Sequence, residues 1–156
     1  MSVENAIKIN DIRITCSAHA TEDLEKVKDA MLFLLPEKLR NKEEIVALEI
    51  DGHAGNPIYL LDLVVKQRRK VLEIVKYLSE LLDDTDKEFL FDDLDSCFGE
   101  DNCLYLRINK QDAFNGILTF DEKDNTIKLV IKLVIYQNKP SLVENTLVEY
   151  GLIKKS

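Results

Sequence analysis

The chain has 156 residues, 29 acidic and 21 basic side chains, 46% apolar residues, five glycines and three prolines. That composition suits one folded domain over residues 1–156 and excludes a disordered chain. No apolar run approaches the ~18 residues a membrane helix needs, and Glu4, Lys8 and Asp11 break up any secretory leader, so a cytoplasmic protein without membrane contact is expected.

Residues 7–17 alternate, with Ile12, Ile14 and Cys16 on one side and Asp11, Arg13 and Thr15 on the other, and predict a strand with one wet face. Thr21 is the expected cap of a helix that opens with Glu22 and Asp23 and closes at Pro36. A strand at about 44–51, a tight Gly52–Pro57 connection and a third strand over 58–65 follow. Residues 68–82 place Val71, Leu72, Val75, Leu78 and Leu82 on one helical stripe. Thr85 to Glu88 reads as a capping box for a short acidic helix. Beyond it come a strand from Leu104 to Asn109 and one helical turn at 111–115. A hairpin of 117–120 with 126–136 is expected next, and then a last helix, started by a Ser141–Glu144 capping box and ended by Gly151. Strands with one polar face outnumber helices, which predicts an α+β, two-layer sandwich with helices on one face of a largely antiparallel or mixed sheet.

The net charge of −8 argues against a uniformly basic nucleic-acid binder, since phosphate recognition rests on Lys and Arg. The deficit is local, however. Residues 83–101 hold nine acidic side chains and one base, Lys87, which leaves 20 of each sign in the other 137 residues. Arg13, Thr15, Glu49, Asp62, Tyr105, Arg107, Lys128, Lys132 and Tyr136 are expected on the open sheet face. There the cations can neutralise phosphates, and Tyr105 and Tyr136 can stack on bases. The bland reading of the same face is an ordinary solvated surface whose charges pair across strands. Lys66, Arg68, Arg69 and Lys70 gather at a helix N-terminus, where cations oppose the macrodipole and a bound polyanion would offset the loss. The alternative there is compensation by Glu73 or the acidic window. If the first two strands are parallel neighbours, His19 and Thr21 lie at the same sheet end as His53 and Asn56, a polar loop site.

No base with an orienting partner is evident, so no catalytic residue is assigned and a non-enzyme is expected. Three cysteines without paired spacing are expected to be reduced and mostly buried. The Asp-rich runs lack the glycine and terminal Glu of a calcium loop, so neither metal nor cofactor is expected. RNA binding is the leading reading, with Lys110 joining the phosphate contacts. The alternatives are an adaptor that docks a basic protein through 83–101 and a histidine-dependent ribonuclease. The oligomeric state is open.

HATED at 19–23, Leu34-Leu35-Pro36, GHAGNPI at 52–58 and Leu104-Tyr105-Leu106-Arg107 with Asn109-Lys110-Gln111 occur here in order. This string, spanning about residues 8–136, resembles the archaeal family of predicted RNA-binding proteins associated with the exosome. The resemblance implies a fold similar to the 5S-rRNA-binding ribosomal protein and an RNA-binding accessory role, with exosome or other RNA-processing proteins as partners. Asn109 stands where the family pattern has Asp, and Ala54 where it has an aromatic.

Overall fold

A computed structural model describes residues 7–52, 55–123, 125–137 and 140–156. His53 and Ala54 lie outside the described residues. The elements are β1 (Ile7–His19), α1 (Leu24–Leu32), β2 (Val46–Asp51), β3 (Pro57–Val65), α2 (Arg68–Leu81), α3 (Asp84–Asp92), α4 (Leu94–Cys97), β4 (Cys103–Ile108), α5 (Lys110–Phe114), β5 (Ile127–Ile135) and α6 (Pro140–Glu149). A short 3-10 turn, Glu37–Leu39, follows α1. The five strands form one open antiparallel sheet in the order β2-β3-β1-β5-β4, an α+β architecture. By compactness the chain falls into two units, one of residues 1–12, 66–105 and 130–156 and one of residues 13–65 and 106–129.

In the second unit, β1 buries Ile14, Cys16 and Ala18 and leaves Arg13 exposed. Across the whole strand the alternation slips by one between Ile9 and Ile12, as one extra residue in the ladder would make it do. α1 is capped by Asp23 rather than Thr21. The Asp23 carboxylate accepts from Glu25 N–H at 3.0 Å and Lys26 N–H at 3.4 Å. Asp serves this position as well as Thr does, and the helix starts late enough to use it. The helix ends before Pro36, and Arg40 Nε reaches back to the carbonyls of Leu32, which also accepts from Leu35 N–H, and of Leu35, at 3.0 and 2.9 Å.

β2 pairs antiparallel with β3, with Val46 opposite Asp62, Leu48 opposite Leu60 and Glu49 opposite Tyr59. Residues directly opposite share a face, so Val46, Leu48 and Ile50 lie on the Asp62 side. Glu49 lies with Leu61, on the other face from its expected position. The first two strands are not neighbours either, because β3 lies between them. The expected 117–120 hairpin with β5 is also replaced. Phe120 bridges Ile108, Asn109 N–H donates to the Thr119 carbonyl at 2.9 Å, and Asp121 N–H to the Arg107 carbonyl at 3.0 Å. Segment 117–120 therefore returns onto the end of β4.

In the first unit, α2 buries Val71, Ile74, Val75 and Leu78, on the stripe its 3.6-residue periodicity sets. α3 begins at a capping box formed by Asp83 and Asp86, two residues ahead of the Thr85–Glu88 box expected. α6 begins at Pro140, so Ser141 lies inside its first turn. Gly151, at φ +76°, ends it as expected, with Leu152 N–H donating to the Leu147 carbonyl at 3.0 Å.

Candidate nucleic-acid interface

The start of α2 is the most cationic local feature. Lys66, Arg68 and Arg69 are exposed, and Lys70 is half-buried. Gln67 occupies the N-cap without a side-chain hydrogen bond, and no acidic residue stands in the first turn. The early N–H groups of a helix lack intrahelical partners, and its positive dipole end is unfavourable for cations by about 0.3–1 kcal/mol each. An anion removes both costs.

On the sheet face of the second unit, Arg13 forks onto Asp62, with Nε and Nη2 each 2.8 Å from a carboxylate oxygen. Arg13 is more than half exposed and Asp62 about a third, so the pair is partly screened by water and contributes about 0–1 kcal/mol. Lys128 and Arg107 are exposed on strands of the same unit. A depression of about 540 Å3 opens among Arg13, Thr15, Leu48, Leu60, Thr126 and Lys128. The buried Thr126 hydroxyl has no partner among the described residues.

In the first unit, Lys132 is exposed, and Tyr136 follows β5 with 64% of its surface open. Tyr105 is less available for stacking. Its hydroxyl donates to the Asp101 carboxylate, which pushes the phenol up to about 12. Asp101 is correspondingly held below the usual carboxylate range.

Lys110 has a different setting from the other predicted cations. Its side chain is only 11% exposed, and Nζ donates to the Ser17 carbonyl at 2.8 Å, to Glu22 Oε2 at 2.9 Å and to Asn125 Oδ1 at 2.8 Å. Glu22 also accepts from the His19 N–H at 3.1 Å. Burial pushes the Glu22 carboxyl upward, but the His19 N–H, Lys110 and Asn125 outweigh it and leave the group below its ordinary value. The HATED and NKQ segments thus meet through an ion pair that ties α1's entry to α5. Beside it, Asn109 caps α5 by accepting from Asp112 N–H at 2.8 Å, while its amide donates to Asp121 at 2.8 Å. An Asp at 109 would set two carboxylates together in this chain. A cleft of about 470 Å3 lies here, lined by Lys26, Gln111, Phe114 and Lys123 among others, with Lys26 Nζ 5.5 Å from the Phe114 ring centre.

His19 is the exposed last residue of β1, and Thr21 and Asn56 are exposed at loop positions. With β3 between β1 and β2, those two strands run the same way without touching, so their following loops share a sheet end although the strands do not pair. His53 lies outside the described residues, so no histidine pair is described. All three cysteines are buried free thiols, and burial pushes the Cys97 thiol up to about 11. Among the described residues no group of three or more His, Cys, Asp or Glu could hold a metal ion, and no helix is long and apolar enough to cross a membrane.

Several acids of the 83–101 window have intramolecular roles that sequence reading missed. Asp83 and Asp86 cap α3, Lys154 Nζ sits 3.0 Å from Asp84, and the Ser156 hydroxyl donates to Asp92 at 3.0 Å. The only sequence cue was a basic pair, Lys154-Lys155, at the far end of the chain.

These features define an open-faced α+β protein with exposed cations at a helix start and on the wet side of its sheet. The chain belongs to the RNA-binding family, whose model, described as RNA binding, matches residues 11–133. It is 31% identical over 145 residues to RNA-binding protein PAB1135 of Pyrococcus abyssi, covering 92% of this chain and 94% of that one. The crystal structure of protein AF2318 from Archaeoglobus fulgidus superposes with a TM-score of 0.78 at 31% identity, covering 92% of this chain and 99% of that one. Mth689 of Methanothermobacter thermautotrophicus, a DUF54 protein, gives 0.73 at 26% identity, covering 91% and 97%.

Proposed function

We propose that this is a non-catalytic RNA-binding protein that grips the phosphate backbone through Lys66, Arg68, Arg69 and Lys70 at the start of α2. Arg13, Arg107, Lys128 and Lys132 supplement them on the sheet, and Tyr136 is the leading stacking residue. The observation that carries this reading is the α2 start itself, uncapped and without an acidic residue in its first turn, where three exposed cations oppose the dipole. Family membership and the relative named as an RNA-binding protein support it. Lys110, turned inward onto Glu22, acts as a framework residue in this reading.

The test is a titration of the full chain with single-stranded and structured RNAs over a salt series. Each phosphate neutralised on a single strand adds about 0.7 to the salt slope, so Arg68→Ala with Arg69→Ala should weaken binding and flatten that slope by about 1.4. Absence of affinity for every RNA at low salt, or an unchanged slope in the double variant, refutes it. A finer proposal, resting on the motif string alone, is an accessory role in exosome-type RNA processing or beside ribosome-related RNA. Copurification of such proteins that survives nuclease treatment tests that part.

A further inference from the structure

β2 stands at the edge of the sheet, and all six of its residues are exposed. Val46 is 60% open and Leu48 58%, an unusual amount of apolar surface for a strand whose neighbour β3 buries Leu61, Leu63 and Val65. An uncovered edge also presents a row of backbone donors and acceptors ready for another strand. The strand contains no proline. Its apolar residues alternate on the Asp62 face, and its charged residues, Glu49 and Asp51, stand on the other.

That pattern selects its own partner. An antiparallel pairing of β2 with a second β2 keeps like faces together when the two-fold axis is perpendicular to the sheet. With the axis at Leu48, Leu48 faces Leu48, and Val46 and Ile50 face each other twice. Each Glu49 then meets Ala47, with no carboxylate opposite. Moving the axis to Glu49 sets Glu49 against Glu49 and leaves Val46 without an apolar partner, and moving it to Ala47 shortens the apolar ladder. Cross-strand apolar pairs stabilise a sheet, and like charges directly opposite destabilise it. We infer that the chain forms a homodimer through antiparallel pairing of its β2 edges, in the register centred on Leu48. The axis leaves Arg13, which shares the face of Val46 through Asp62, on the same side in both copies. This inference does not depend on what the protein binds.

The test uses the RNA-free full chain. Sedimentation velocity over a concentration series should show twice the chain mass, and Leu48→Lys, which sets two cations against each other on the axis, should shift the chain to monomer. Val64→Lys, on an exposed β3 position outside the ladder, should leave the dimer intact. Register is read by mild oxidation: Leu48→Cys should crosslink to its copy, whereas Glu49→Cys should not, and the buried native thiols stay silent. A wild-type chain that is monomeric throughout overturns the inference. A dimer that survives Leu48→Lys, or one crosslinked faster through residue 49 than through 48, overturns it equally.

Discussion

Replacing Lys110 with Met separates a framework role from an RNA contact. The substitution keeps the aliphatic stem and removes the ammonium, so the Ser17 carbonyl, the Glu22 carboxylate and the Asn125 side-chain oxygen each lose a donor at 2.8–2.9 Å. Hydrogen bonds to a charged group contribute about 1.5–3 kcal/mol, and breaking a fully buried pair costs about 3–5 kcal/mol. Glu22 retains 24% of its side-chain exposure, so water recovers part of that loss, and about 2–4 kcal/mol is expected. For a chain of this length that corresponds to a Tm lower by about 5–15 °C. Urea denaturation of wild type, Lys110→Met, Glu22→Gln and the double variant should return a coupling energy of about 1–3 kcal/mol. RNA affinity, measured well below the transition, should change little because the ammonium points at the protein. An unchanged midpoint with weakened RNA affinity would falsify this account and make Lys110 a phosphate ligand.

The same pair sets an acid dependence. The folded Glu22 carboxyl titrates below its unfolded value of about 4.3, so its stabilisation is complete above that value and is lost as pH falls through the folded one. The stability gap between wild type and Lys110→Met, followed by urea midpoints from pH 7 downward, should therefore narrow below about pH 4, and a constant gap counts against the pair. Gly52→Ala would drive a methyl group into the Asn56 carbonyl and within 2.9 Å of Ile58, so a loss of about 1–3 kcal/mol is expected by calorimetry or denaturant melt. Burial raises the Cys16, Cys97 and Cys103 thiols. All three should label slowly with a disulfide reagent at pH 8 in the native protein and rapidly in denaturant, and one fast native thiol would contradict their buried setting.

Periodicity carried most of the fold and failed where a second chain segment decides. Val71, Leu78 and their neighbours announce α2 because its stripe repeats inside one window. β2 follows the same alternation rule but faces the other way. Which side of an edge strand is wet depends on its register with β3, which no local pattern contains. The 117–120 segment misleads for a related reason. Neighbours in sequence are the default hairpin partners, yet its hydrogen bonds go to the end of β4. The caps were displaced by two residues because Thr21 and Thr85 each stand beside an equally good Asp. Lys110 looked like one more surface cation because Glu22 is 88 residues away. Only the co-occurrence of the HATED and NKQ strings hinted that they meet.

The acidic window now bears differently on RNA binding. Asp83 and Asp86 hold a helix start, Asp84 and Asp92 hold the C-terminal residues, and Asp101 holds Tyr105. Five of the nine acids are thus committed to partners in their own unit. Fields from solvated charges fade over about 8–10 Å at physiological salt, so the net charge of −8 acts mainly on distant approach, and contact is governed by what lies within that range. At the start of α2 the cations outnumber any first-turn acid and the backbone N–H groups add to them. A chain that is acidic in sum can therefore hold a phosphate locally. Its encounter with RNA is opposed by net repulsion at low salt, while the bound state loses affinity as salt rises.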